Sequence, residues 1–363
     1  MKVIVSGGGT GGHIFPAIAV AQELKRKVAD VDILFVGALG KMEMEKVPKE
    51  GFEIKGLWIS GLQRSLTIKN LLFPVKLIWS LIKAYSIINK FKPDVVASFG
   101  GYASGPIGQI AAWKHIPLIL QEQNSYPGIT NKILASKAKK ICVAYDGMEK
   151  FFEKDKIVYT GNPVRKNIAE PIENINSSFR YFDMAQNKKT VLIFGGSLGA
   201  RALNDAVKAN IETILGSGND VQVIWQVGKL YYDEIIKSDI ANHENVKILP
   251  FIDRMDLAYS IADLVVARAG ALTISELSLC GKAAILAPSP NVAEDHQTEN
   301  ALNLVEKNAA LMIKDSELNE NLGTLINSTI GNSDLLKSLE NNILKLGRKN
   351  ASEDIANILI SVS

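Results

Sequence analysis

A run of glycines followed at once by a histidine, Gly7-Gly8-Gly9-Thr10-Gly11-Gly12-His13, holds more potential chemistry than any other stretch of this chain. Glycines let backbone N–H groups close on an anionic ligand at the positive end of a helix. A second such turn, Gly195-Gly196-Ser197-Leu198-Gly199, lies almost two hundred residues further on. Each follows a short apolar run, Val3-Ile4-Val5 or Val191-Leu192-Ile193-Phe194, and each opens a helical pattern. Two phosphate-holding turns imply two nucleotide-type sheets facing a shared cleft; a tight strand-to-helix turn without a ligand is the plainer alternative for either one. His13 falls at the start of the helix that carries Pro16. A helix N-terminus disfavours imidazolium, so a neutral ring able to accept a proton suits a general base, with a capping or phosphate-contacting histidine as the alternative. The spacing Gly7-x-Gly9-x-x-Gly12 also fits a dinucleotide fingerprint, but the next strand ends Phe35-Val36-Gly37-Ala38 without the acidic residue that would hold a ribose. A dehydrogenase is therefore disfavoured.

The elements that must position these residues alternate in the manner of parallel α/β sheets. Strands are expected at 3–6, 32–36, 94–98, 118–121, 141–144 and 157–160, and then at 190–194, 221–226, 246–249, 264–267 and 283–287. Between the two sets Gly161-Asn162-Pro163-Val164-Arg165 leads into a polar stretch ending near Lys189, a natural hinge. The expected division is a first domain over 1–163 and a second over 164–342, with a final helix at about 343–363. A length of 363 and 47% hydrophobic residues allow two or three cores. Cys142 and Cys280 stand far apart in apolar contexts, which indicates neither a disulfide framework nor a cysteine metal site. No segment has the length and hydropathy of a spanning helix or a signal-peptide core, so an intracellular protein is expected.

The net charge of +3 conceals an asymmetry. Residues 1–163 carry 22 Lys and Arg against 13 Asp and Glu, whereas residues 164–363 carry 19 against 25. Between Glu53 and Asp94 every charged side chain is basic, and Lys69, Lys76, Lys83 and Lys90 recur at seven-residue steps that would form one drifting helical stripe. A helix is expected over about 75–89, with Pro74 at its entrance and Leu71-Leu72-Phe73 as an exposed apolar cluster. Leu77, Ile78, Trp79, Leu81 and Ile82 occupy more of its circumference than one buried face needs. Surplus apolar surface beside lysines points to an anionic membrane surface, with Leu72, Phe73, Lys76, Trp79 and Lys83 as the patch and Trp113-Lys114, Lys137, Lys139 and Lys140 as extensions. An ordinary core helix with a solvated basic edge is the alternative. The basic stretch carries no recognisable nucleic-acid-binding motif.

Taken in order, several segments resemble the MurG family of bacterial glycosyltransferases: residues 7–24 (GGGTGGHIFPAIAVAQEL), Gly100-Gly101-Tyr102-Ala103-Ser104-Gly105-Pro106, Glu122-Gln123-Asn124, and Gly161-Asn162-Pro163-Val164-Arg165. Gly195-Gly196-Ser197-x-Gly199-Ala200-Arg201, Gly270-Ala271-Leu272-Thr273-Ile274-Ser275-Glu276 and Gln297-x-x-Asn300 continue the likeness to about residue 301. That resemblance implies a GT-B fold of two Rossmann-like doubly wound domains, the acceptor on the first and the donor mainly on the second, with the final helix returning to the first. It implies transfer of N-acetylglucosamine from UDP-N-acetylglucosamine to an undecaprenyl-pyrophosphoryl-muramyl-pentapeptide, inverting and without metal or cofactor, at the cytoplasmic face of the inner membrane. Another GT-B enzyme acting on the same sugar nucleotide, such as an epimerase, is the alternative.

Residue by residue, the resemblance makes Ser197 and Arg165 phosphate contacts and Glu276 the acceptor of the ribose diol, although Thr273-x-x-Glu276 also reads as a capping box. Ile252 would pair with uracil through its backbone, Ala271, Leu272, Thr273, Ile274 and Ser275 would border the nucleotide, and Gln297 and Asn300 would bond the sugar hydroxyls. Thr10, Gly11, Gly12 and Asn124 match positions that touch the donor from the first domain, and Gly101, Tyr102, Ser104 and Gly105 match the acceptor loop. His13 is the first candidate for the base and Glu122 the second. Gln121 stands where many members of the family carry histidine, which argues against an essential ionisation there. Asp30-Val31-Asp32 leads into a strand and is expected to be a solvated edge rather than a metal site.

Overall fold

The computed structural model describes residues 1–61, 72–170, 172–196, 198–216, 220–292 and 295–363. Contacts divide the chain into two units, one formed by Met1–Arg165 with Asn350–Ser363 and the other by Lys166–Lys349. In the first, strands β1 (Lys2–Ser6), β2 (Asp32–Ala38), β3 (Glu53–Leu57), β4 (Val95–Ser98), β5 (Leu118–Glu122), β6 (Lys140–Val143) and β7 (Ile157–Tyr159) form a parallel sheet in the order β3-β2-β1-β4-β5-β6-β7. Central strands read as unbroken apolar runs because helices cover both faces. Val3 and Val5 pack with Ile14, Ala17 and Val20 on one side, while Ile4 packs with Ala84, Ile88 and Ile107 on the other.

The second unit repeats the plan with β8 (Lys189–Phe194), β9 (Val221–Gln226), β10 (Val246–Leu249), β11 (Leu264–Ala267), β12 (Ala284–Leu286) and β13 (Leu311–Met312), all parallel in the order β10-β9-β8-β11-β12-β13. In each sheet the strand order reverses beside the first strand, at β1/β4 and at β8/β11. Such reversals open crevices at the carboxyl ends of the strands, where doubly wound folds hold ligands. The two glycine turns follow β1 and β8, and so stand at those two points.

Two strands escape the sequence expectation. β3 is an edge strand whose alternating Glu53-Ile54-Lys55-Gly56-Leu57 is mostly polar, and β13 is only two residues long. The final helix also differs from the span expected at 343–363. Residues up to Leu344 end a helix of the second unit (Ser333–Leu344), and a separate helix, Ala351–Val362, packs on the first, against the helix Gly11–Lys27. Gly347 lies against the Ser278 backbone and interrupts the helical run between them.

Candidate active site

In the first unit the turn after β1 and the loop after β4 are packed backbone to backbone. Gly101 has φ +85°, and a Cβ there would sit 2.3 Å from the Gly8 carbonyl oxygen. Only glycine fits that approach. His13 lies in the first turn of the helix Gly11–Lys27. Its Nδ1 is 3.0 Å from the Gly8 carbonyl oxygen and 3.2 Å from Thr10 Oγ1. A carbonyl oxygen only accepts, so that bond places the ring proton on Nδ1 and makes Nε2 the basic nitrogen. Nε2 in turn lies over Gly100, within 3.2 Å of the position a Cβ would take there. Thr10, and not His13, occupies the cap position of this helix.

Glu122, the second candidate for the base, is buried at the end of β5. Oε1 accepts from the Asn124 backbone at 3.0 Å and from Asn124 Nδ2 at 3.3 Å, while Oε2 accepts from Gly128 N at 3.1 Å and Asn131 Nδ2 at 2.8 Å. Burial pushes its carboxyl above the ordinary carboxylate range, and these four donors pull in the opposite direction. The geometry makes Glu122 the anchor of the 123–131 loop. Gln121 is equally committed: it donates to Asn162 Oδ1 at 2.8 Å and accepts from Gln123, while Asn162 Nδ2 donates to the Gln123 carbonyl at 3.0 Å. This closed amide network joins β5 to the hinge segment and contains no titrating group, which accounts for an amide at this position.

Of the acceptor-loop residues, Tyr102 is exposed and its ring lies over Gly61. Ser104 is fully buried, donating to the Gly100 carbonyl at 2.8 Å and lying 3.1 Å from that of Ser6. Its place is to hold the loop after β4 onto the end of β1. Gly105 opens the helix Ser104–Trp113 near Thr130, and Arg165 is exposed at the end of the unit. Asp32 begins β2 on the surface, 3.7 Å from Lys2, as a solvated edge. Among the described residues no group of three or more His, Cys, Asp and Glu is arranged to hold a metal ion.

In the second unit the turn after β8 is again made possible by glycine. Gly199 has φ +80°, and a Cβ there would come within 2.1 Å of the Val227 carbonyl oxygen. Ser197, expected to contact phosphate, lies outside the described residues. Glu276 receives a hydrogen bond from Tyr259 Oη to Oε2 at 3.0 Å. The capping-box alternative does not apply, because the helix Ala271–Cys280 takes Gly270 as its cap and Thr273 lies inside it. Ala271 and Ile274 are buried against the core, Leu272 and Thr273 are half-buried, and Ser275 Oγ bonds back to the Ala271 carbonyl at 2.9 Å. Gln297 Oε1 accepts from Ser289 N at 2.9 Å, which orients its amide, and Asn300 is buried with Nδ2 on the Ala269 carbonyl at 3.3 Å. Ile252 follows β10, and its N–H is held at 2.8 Å by Gln226 Oε1. Tyr259 and Gln226 carry no sequence signal of their own; each becomes visible only when a neighbouring strand or helix brings its partner.

The glycine turn that leads to His13 follows β1, Glu122 ends β5, and the glycine turn after β8 and the segment of Ile252 after β10 likewise leave the carboxyl ends of their strands. Residues 3–143 match the glycosyltransferase family 28 N-terminal domain, and residues 190–356 match the glycosyltransferase family 28 C-terminal domain. A UDP-N-acetylglucosamine--N-acetylmuramyl-(pentapeptide) pyrophosphoryl-undecaprenol N-acetylglucosamine transferase of Flavobacterium psychrophilum is 50% identical over 361 residues, covering 99% of this chain and 97% of that protein. The chain belongs to glycosyltransferase family 28. A relative of the same description from Bacteroides thetaiotaomicron is 48% identical over 365 residues, spanning 100% of this chain and 98% of its own length. Among solved structures, Acinetobacter baumannii MurG superposes with a TM-score of 0.78 at 28% identity, with 99% of each chain covered. A UDP-GlcNAc 2-epimerase from Neisseria meningitidis shares the fold, at a TM-score of 0.66 and 16% identity over 99% of this chain and 100% of the other. The family's GT-B architecture, two Rossmann-like domains, is the one described above.

Proposed function

We propose that this enzyme transfers N-acetylglucosamine from UDP-N-acetylglucosamine to the C4 hydroxyl of an undecaprenyl-pyrophosphoryl-MurNAc-pentapeptide, with inversion. The observation that carries this is near-full-length identity of about half to transferases of that description, in a chain that keeps the turns, histidine and carboxylate the reaction needs. His13 Nε2 takes the proton of the attacking hydroxyl as its oxygen bonds C1, while the bond from C1 to the pyrophosphate oxygen breaks and UDP leaves with the electron pair. The departing charge falls to N–H groups of the turn after β8, at the start of the helix Arg201–Leu215, and to Arg165 and Ser197. These groups supply positive potential without a cation, so turnover should survive exhaustive chelation. Glu276, oriented by Tyr259, accepts from the ribose diol; the loop of Ile252, whose N–H is already held by Gln226, borders the uracil; Gln297 faces the sugar, and Asn300, fully buried on the Ala269 carbonyl, supports that helix from beneath rather than bonding the sugar as expected.

Membrane attachment is part of the same proposal. The helix Phe73–Phe91 buries Ser80, Ala84, Ile87 and Ile88, yet turns Val75, Ile78, Trp79, Ile82 and Tyr85 to solvent. A helix that exposes its apolar stripe, with Ile82 66% accessible, is suited to lie in a lipid interface. Lys76 reaches Ser60 at 3.0 Å and lies over Trp58, Lys83 is exposed, and Lys114 lies over Tyr85 at 4.8 Å, which leaves a basic rim for anionic headgroups. Leu72 and Phe73 begin this helix, whereas Arg64, Lys69 and Leu71 fall outside the described residues. Among the described residues no helix is long and apolar enough to cross a membrane, and peripheral attachment at the inner face is the arrangement proposed. UDP release from UDP-N-acetylglucosamine that appears only on addition of the lipid-linked acceptor tests the reaction; release at the same rate without acceptor would exclude it.

A further inference from the structure

Gln226 is the last residue of β9 and is only 2% exposed. β9 lies between β8 and β10, and Gln226 is in register with Phe194 on one side and Leu249 on the other. Its side chain therefore meets the two segments that leave those strands: the glycine turn after β8 and the loop of Phe251-Ile252 after β10. Nε2 donates to the Gly196 carbonyl at 2.9 Å, and Oε1 accepts from the Ile252 N–H at 2.8 Å. The amide orientation is set by its partners, since the flipped form would oppose donor to donor and acceptor to acceptor. The residues that follow Gln226 also pack backbone to backbone against the turn after β8. A Cβ on Gly228 would fall 2.4 Å from Gly199 N and from the Leu198 carbonyl oxygen.

We infer that Gln226 is a positioning residue that fixes the spacing between the nucleobase-reading loop and the pyrophosphate-holding turn, so that the second unit takes a nucleoside diphosphate as one rigid object. The role rests on the donor assignment proposed above. Base and pyrophosphate are joined through a single ribose, so their separation in the ligand varies little. Two binding loops tied by one planar amide keep the matching separation before the ligand arrives, and the ordering cost is not charged to binding. Removing the amide leaves the Gly196 carbonyl and the buried Ile252 N–H without this partner and lets the loops drift apart.

The test uses the full-length enzyme with Gln226→Leu and Gln226→Glu, with UDP binding followed by calorimetry and turnover by UDP release. For Gln226→Leu, UDP affinity should fall and KM for UDP-N-acetylglucosamine should rise by about tenfold, the scale of one or two lost buried hydrogen bonds. At saturating donor, kcat and the acceptor KM should stay within about twofold of wild type. Gln226→Glu separates positioning from mere packing, because a protonated carboxyl can make both bonds whereas a carboxylate cannot donate to Gly196. Its UDP affinity relative to wild type should recover as pH is lowered, and that of Gln226→Leu should not. An unchanged UDP affinity in Gln226→Leu, or no pH-dependent recovery in Gln226→Glu, overturns the inference. Glu276→Ala serves as the control: if it weakens UDP and Gln226→Leu does not, only the role of Gln226 fails, whereas silence of both removes the donor assignment itself.

Discussion

At the scale of single residues, the decisive contact is the bond between His13 Nδ1 and the Gly8 carbonyl, which assigns the tautomer and leaves Nε2 as the basic nitrogen. His13→Ala should lower kcat by about a hundredfold or more while leaving the donor KM near wild type, as steady-state kinetics will show. Near-normal kcat would remove it as the base. Tyr259→Phe deletes only the hydroxyl that orients Glu276, and should raise the UDP-N-acetylglucosamine KM about tenfold with a smaller change in kcat. Glu122 differs in kind. Because burial raises its carboxyl, the folded chain retains that proton at pH values where the unfolded chain has released it. Its contribution to stability is therefore greatest below the ordinary carboxyl value and declines as pH rises through the raised one. Glu122→Gln lacks this titration, so the stability advantage of wild type over the variant should shrink across that window. Urea midpoints followed through Trp58, Trp79 and Trp113 of the first unit would measure it, and a gap constant with pH would contradict it. His13 and Glu122 stood out in the sequence as candidates because a glycine turn and a strand end frame them, and Glu276 only through the family resemblance. Tyr259 and Gln226 did not, since a tyrosine in an apolar helix and a glutamine closing an apolar strand look like ordinary packing until the sheet order supplies their partners.

At the scale of elements, strand positions were legible wherever a strand is covered on both faces, because such strands are short continuous apolar runs. β9 and β11 have the bounds expected of them, whereas the half-exposed β3 and the two-residue β13 offer no such run. The helix Phe73–Phe91 shows the limit of periodicity in another way. Its apolar residues nearly encircle it, so sequence alone did not reveal which of them would be buried. Packing resolves the matter: Ser80 and Ala84, small residues, face the core, and Ile78 and Ile82 face outward. Large apolar side chains left outside lose nothing on substitution within the protein but lose their partition into lipid. The double variant Ile78→Glu, Ile82→Glu should melt near the wild-type temperature and bind UDP normally. Its affinity for vesicles of anionic lipid should fall at least about tenfold, with turnover of vesicle-borne acceptor falling in step. Unaltered vesicle binding would return this helix to the category of solvated surface.

At the scale of the whole molecule, one architecture appears twice and the two copies differ in charge. The unit formed by residues 1–165 and 350–363 contains 23 Lys and Arg against 15 Asp and Glu, and the remainder contains 18 against 23. Fold class and the location of both crevices followed from sequence because each glycine turn marks the first strand of a doubly wound sheet. The return of the Ala351–Val362 helix to the first unit followed only from the family resemblance and not from periodicity, since its apolar face fits many cores equally well. The charge difference has a physical consequence that neither fold nor family membership dictates. Attraction between a basic unit and an anionic bilayer acts over roughly a Debye length, about 10 Å at 0.1 M salt, and collapses as salt rises. The apolar insertion of Ile78, Trp79 and Ile82 proposed above would be nearly indifferent to such concentrations. Vesicle binding of wild-type enzyme should therefore fall with added salt to a plateau above zero, and Ile78→Glu, Ile82→Glu should fall from a lower start to no binding at all. On the donor assignment proposed above, UDP is held by short-range contacts, and its affinity should change far less over the same range. A wild-type curve that reaches zero would mean that charge alone holds the protein to the bilayer. A curve flat from the start would mean that the basic residues of the first unit play no part in it.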